Sequence, residues 1–265
     1  MLTLFRTKKL LDDNVNRWLY DGYAWALRNF GSDIFYYDTV LVTPTDQHFP
    51  DRVENPEQMM AKIFDRVRAY AGMTSWPCEL LALNTGDDPV LPPAVTAERA
   101  PRGPAGHISV SGDRPYVPIV FDRTQLGNPE LLVAGFAREL GGYLCAVAPE
   151  EPPGGAEYRG HAADLLAVFM GFGVFMANTA FMIKKGGCSG CGITVHCHGN
   201  LTEDEFTYAL AMFAALKGIE HRGVEPSLKS SLRPFYRKAV REIMNDADAI
   251  VRLKDICCPI TPAMA

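Results

Sequence analysis

Residues 187–198 read Gly-Cys-Ser-Gly-Cys-Gly-Ile-Thr-Val-His-Cys-His, and several of these are residue types that hold metal. Cys188 and Cys191 form a C-x-x-C pair on a glycine-rich turn, and His196, Cys197 and His198 follow after a short apolar stretch. Thiolate and imidazole are the usual ligands of tetrahedral zinc. Cys188, Cys191 and Cys197 with either His196 or His198 therefore compose a candidate structural zinc site. The competing reading is a β-hairpin with Ile193 and Val195 toward the core and the cysteines in its turns, since the gap between the two halves is shorter than most zinc ribbons use. A redox role lacks the strand-to-helix context that activates a C-x-x-C pair.

A second set of chemically suggestive residues lies in Ala-Gly-Phe-Ala-Arg-Glu-Leu-Gly-Gly-Tyr-Leu, residues 134–144. This stretch resembles the active-site helix of zinc metallopeptidases. In that helix two histidines at i and i+4 point at one metal, and the glutamate between them acts as general base on the zinc-bound water. On this frame Glu139 takes the place of the base, while Arg138 and Gly142 take the places of the histidines. A guanidinium has no lone pair to offer and glycine has no side chain, so neither can ligate metal. Residues 157–175, Glu-Tyr-Arg-Gly-His-Ala-Ala-Asp-Leu-Leu-Ala-Val-Phe-Met-Gly-Phe-Gly-Val-Phe, are similar to the second helix of the gluzincin metallopeptidases. There an E-x-x-A-D stretch supplies the third ligand and a supporting aspartate. Ala163 and Asp164 match its last two positions, and Gly160 stands where the ligand glutamate belongs.

The likeness extends over most of residues 10–220. The run from Trp18 to Gly31, Leu41-Val-Thr-Pro-Thr45 with Phe49-Pro50, and Ala71 to Glu79 look like a bacterial family of no assigned activity. Its members carry an intact histidine-glutamate-histidine helix and the Pro-Gly-Gly run seen here at residues 153–155. The resemblance implies a single zincin-like domain over residues 1–265, with N-terminal helices and a small sheet in 1–125, motif helices in 128–184, a Cys/His-rich hairpin in 186–199 and C-terminal helices in 202–255. It also implies that Arg138, Glu139, Gly142, Gly160 and Asp164 are a degenerate motif with no catalytic residue and no cofactor. Without a metal, the carboxylates of Glu139 and Asp164 need cationic partners if buried, and Arg138, then Arg159, are the nearest.

These residues need elements to position them, and the pattern supplies a mostly helical α+β chain. Apolar spacing over residues 10–30, capping residues Asp12 to Asn14 and Gly31 at the end predict a helix. Asn55-Pro56 opens a second, closed by Gly72. Tyr37 to Val42, Glu79 to Leu83, His107 to Val110 and Tyr116 to Phe121 read as strands, with a Pro- and Gly-rich loop at 86–106. Asn128-Pro129 opens the first motif helix, expected to run to about Val147, and the second is expected over 157–183. Thr202-Glu-Asp-Glu205 is a capping box, with Gly218 ending its helix. Ser227 to Lys254 reads as a last helical region interrupted at Pro234.

Residues 165–183 carry no charge over nineteen positions, long enough to be weighed as a membrane span. Gly171, Gly173, Asn178 and Thr179 dilute the segment, which favours a buried core helix. The chain has 265 residues, 48% of them hydrophobic, with a net charge of −5, and this mild acidity provides no field for nucleic acid or anionic lipid. The N-terminus lacks the apolar run and cleavage site of a secretory signal, so a cytoplasmic setting is expected, with the seven cysteines reduced. The functional expectation is a pseudoenzyme that recognises a protein or peptide or acts as a scaffold, a homo-oligomer being the simplest scaffold form. The alternative is an active metal-dependent hydrolase with a rearranged site drawn from His161 and the cluster from Cys188 to His198.

Overall fold

In the computed structural model, residues 9–83, 93–97, 100–112, 115–184, 194–197 and 199–256 are described. The first helix, α1 (Asp13–Asn29), starts where the Asp12 carboxylate accepts from the amides of Asn14 and Val15. Helix α2 (Pro56–Ala71) is capped in the same way by Asn55, and ends at Gly72 in the left-handed conformation. Strand β1 (Cys78–Leu83) pairs in parallel with β4 (Val117–Asp122), and β2 (Ala94–Thr96) pairs antiparallel with β3 (Ser109–Ser111). Helix α3 (Pro129–Ala146) then leads to α4 (Arg159–Ala167) and α5 (Gly173–Thr179). A hairpin of β5 (Phe181–Lys184) and β6 (Thr194–Cys197) precedes α6 (Glu203–Lys217), α7 (His221–Val224), α8 (Arg233–Asn245) and α9 (Ala247–Lys254). The fold is mostly helical α+β, and side chains from α1 to α9 contribute to one continuous hydrophobic cluster.

Three expectations are corrected. Tyr37 to Val42 is not a strand: residues Ile34–Asp38 wind into a π turn, and Val42 donates its amide to Gly171 O at 2.9 Å. That contact explains the second correction. The motif helix expected over 157–183 breaks into α4, a π segment Val168–Phe172 and α5, because Gly171 takes a φ of 101° and the chain passes so close that a Cβ there would lie 2.0 Å from Val40 O. The residues after Thr179 leave the helix for β5. Third, Pro234 sits in the first turn of α8, where its missing N–H costs nothing, and the interruption falls at Asp246 between α8 and α9. Among the described residues the strands form three two-stranded pairs. β2 and β3 are three residues long and largely exposed, too little to bury a face against β1 and β4.

The apolar segment is buried within the fold. Residues Ala156–Thr179 are long and apolar enough to cross a membrane, yet 89% of their most apolar window is covered by the protein's own helices. Helix α6 runs alongside, set by the Thr202–Glu205 capping box and buried from Phe206 to Ala214. The Phe35 and Phe169 rings stack at 4.5 Å, with Lys217 over the first and the buried Arg102 over the second. This column joins α6 and the π turn to the break between α4 and α5.

Candidate functional site

Helices α3 and α4 meet at Gly141, where α3 has no room for a side chain. A Cβ on Gly141 would lie 2.4 Å from Ala163 O, so the two backbones are in contact at that level. One helical turn before Gly141, Arg138 reaches α4: its Nε donates to Asp164 Oδ1 at 2.5 Å. Asp164 is fully buried, and its other oxygen, Oδ2, accepts from the amides of Asn200 at 2.5 Å and Leu201 at 3.1 Å. Gly199 makes this approach feasible. Its φ is 114°, and a Cβ there would lie 2.6 Å from Arg138 Nη2 and 2.8 Å from Asp164 Oδ2. A single carboxylate thus ties α3, α4 and the turn leading into α6, with its charge met by a guanidinium and two backbone donors.

Glu139 faces a cleft beside this pair. One part, about 390 Å³, is lined by Val120, Arg138, Glu139, Gly142, Tyr143, Ala146, Gly160, Ala163 and Asn200. A second part of about 170 Å³ shares Val120, Arg138 and Glu139 and continues along β4 past Phe121 and Asp122. Burial holds the Glu139 carboxyl above its ordinary range, against the opposing pull of the neighbouring Arg138 charge. Burial, and next the nearby Glu139, push the Tyr143 phenol up to about 12; its hydroxyl donates to Pro118 O at 3.1 Å. Val117 N donates to Pro77 O, so the alternating backbone of β4 points Val117, Ile119 and Phe121 at β1, and Pro118, Val120 and Asp122 away from it. Pro118 is tolerated because its absent N–H falls on the unladdered side.

Of the motif residues, Arg138, Glu139, Gly142 and Gly160 line the cleft, and Asp164 lies behind Arg138. Arg138 pairs with Asp164 and reaches Glu139 only through its charge. Arg159 does not join them: it pairs with Glu151 at 2.5 Å on the exposed side of α4. Gly142 opens onto the cleft, with nothing within 4 Å of a Cβ built there. At Gly160 a Cβ would meet the Asn200 amide group at 2.8–2.9 Å, so the Asn200 side chain covers the position a third ligand would use. These residues do not fit a metal: the carboxylates beside Arg138 are Glu139 and Asp164, the second taken up by the guanidinium, and that cation lies between the helices. Among the described residues no three His, Cys, Asp or Glu side chains are grouped to hold an ion.

His161 packs against the Trp18 and Tyr158 rings, with centroids 6.0 and 5.2 Å away, and its Nδ1 is buried without a hydrogen-bond partner. Trp18 Nε1 in turn donates to Pro153 O, anchoring the Pro-Gly-Gly loop. Of the candidate zinc set, Cys188, Cys191 and His198 lie outside the described residues. His196 and Cys197 are described only as backbone, in β6, which pairs Met182 with His196. Sequence reasoning did not find Asn200, Leu201 or Gly199, which lie far along the chain and carry no motif. Tyr143 was within reach, four residues after Glu139 and so on the same helical face. A further cavity of about 480 Å³ lies at the opposite, N-terminal end of α3, floored by Phe49, Met59, Ile63, Val133 and Phe175, with the Arg52–Asp46 ion pair at its rim. It is larger than either part of the cleft but holds none of the motif residues. Compared with protein-family models, curated proteins and solved structures, the chain shows no significant match.

Proposed function

We propose that this protein is a degenerate, zincin-like metallopeptidase relative that has lost hydrolysis and uses the cleft between α3, α4 and β4 to recognise a peptide or protein segment. The observation that carries the reading is the Arg138–Asp164 pair. A guanidinium held at 2.5 Å by a buried carboxylate lies between the two helices whose counterparts in peptidases share a metal. Its positive charge also opposes the approach of a divalent cation. Glu139 keeps the position of a general base, but Arg138 and Gly142 cannot ligate the metal that would lower the pKa of water and stabilise a tetrahedral oxyanion, contributions on the order of several kcal/mol each.

Recognition is supported by what the site retains. The cleft is open, it is floored by a helix, and beside it runs a strand whose backbone at Val120 points away from its partner β1. Among the described residues no strand pairs with that edge of β4. An extended segment laid alongside would meet backbone donors and acceptors in the manner of strand addition. The test is peptide cleavage by wild-type protein and Glu139→Gln, with and without a zinc chelator. Neither protein is expected to cleave above the buffer rate. Chelator-sensitive cleavage by the wild type that disappears in Glu139→Gln would overturn the pseudoenzyme reading.

A further inference from the structure

The charges lining the cleft do not cancel. Arg138 is the cation of both parts, and its charge is matched by Asp164, which is buried behind it and outside the lining. Glu139 belongs to both parts and has no such match. Among the described residues no donor hydrogen-bonds to its carboxylate, and the cation acting on it is the already paired Arg138. Around Glu139 the walls are mostly apolar or lack side chains: Val120, Ala146, Ala163 and Gly142, with the Tyr143 ring one helical turn away and the Asn200 amide over Gly160. A half-buried carboxylate in such walls is poorly hydrated, and a cation would restore what the water no longer supplies. The raised position of the Glu139 carboxyl has the same origin.

Resting on the recognition reading, we propose that the cleft selects a segment carrying a lysine- or arginine-type side chain, whose charged head pairs with Glu139 beside the Tyr143 ring. Its aliphatic stem fills the space that Gly142 leaves open. The fit is chemical at each level. A long methylene stem suits apolar walls, a cation over or beside an aromatic ring gains a further attraction, and the carboxylate fixes the charge sign. Gly142 is what makes the room, since a side chain there would project into the cleft rather than into the protein. An acidic ligand would place its charge next to Glu139, and a neutral stem of equal length would leave the carboxylate unpaired.

The experiment uses the full chain and five-residue alanine peptides, blocked at both ends, whose central residue is lysine, arginine, norleucine or glutamate. Binding is read by titration calorimetry against wild type, Glu139→Gln and Gly142→Leu. The lysine and arginine peptides should bind the wild type about tenfold or more tighter than norleucine, the scale of one charge-assisted contact. That preference should vanish in Glu139→Gln, which is isosteric and keeps the fold, while Gly142→Leu should weaken all four by filling the cleft. Equal binding of lysine and norleucine peptides to the wild type, or a lysine preference that survives in Glu139→Gln, overturns the proposal and leaves peptide recognition standing. Failure of every peptide to bind overturns both.

Discussion

Two carboxylates meet Arg138 in different ways, and the difference decides what each can do. Asp164 is wholly buried and takes the guanidinium together with two backbone amides, so it acts as a structural joint. Removing one partner of such a pair leaves a buried charge uncompensated, which commonly costs about 3–5 kcal/mol. Glu139 is half-buried in the cleft and burdened by desolvation instead. Its carboxyl titrates higher in the folded protein than in the unfolded chain, so the native state binds the extra proton between those two values. Stability therefore falls as pH rises from the ordinary carboxylate value of 4.5 through the raised one, and the penalty is complete above both. Replacing Glu139 with glutamine removes that penalty. Thermal melts should show Glu139→Gln at least as stable as the wild type at neutral pH, with its advantage shrinking as the pH is lowered toward 4.5. A variant clearly less stable at neutral pH would mean that Glu139, not Asp164, is the carboxylate Arg138 supports.

The helix pair carries an asymmetry that neighbouring glycines can measure. Gly141 and Gly142 are both interior to α3, where alanine in place of glycine ordinarily gains roughly 0.5–1 kcal/mol of backbone entropy. Gly142→Ala should realise that gain, because its Cβ meets open space. Gly141→Ala should instead destabilise by about 1–3 kcal/mol, since its Cβ would lie 2.4 Å from Ala163 O and force the helices apart. Denaturant unfolding of the two variants decides this, and equal shifts would contradict the packing described. The same glycines mark how far the sequence could be read. Caps, turns and periodicity located α1, α2, α3 and α6 closely, since Asp12, Asn55, Asn128 and Thr202 act locally and their signals lie within a turn of their effect. The break at Gly171 was not legible, because its cause is the distant chain at Val40. The set of motif residues was likewise visible, and so was Arg138 as the partner of a buried Asp164, while the backbone donors to that carboxylate were not. Nothing in Asn200 or Leu201 announces that their amides will close on a carboxylate 36 or 37 residues earlier.

At the scale of the molecule, one buried apolar segment organises the core and the site beside it. The apolar stretch weighed as a membrane span is the central helix of the core, with α6 against it and the Arg102–Phe169–Phe35–Lys217 column across its break. That core sets α4 against α3, and the Asp164 joint then fastens both to the turn before α6. The cysteine and histidine cluster from Cys188 to His198 runs directly into Gly199 and Asn200 of this joint, and zinc there would have a structural purpose. Zinc content therefore has to be assigned to one place or the other. The direct measurement is elemental analysis of protein purified without nickel affinity, comparing wild type with a Cys188→Ser, Cys191→Ser, Cys197→Ser variant dialysed against zinc. The account predicts that the triple variant retains no stoichiometric zinc while staying folded, since the α3–α4 frame holds an ion pair in place of ligands. A full equivalent of zinc kept by that variant, and lost when Asp164 or Glu139 is changed, would contradict it.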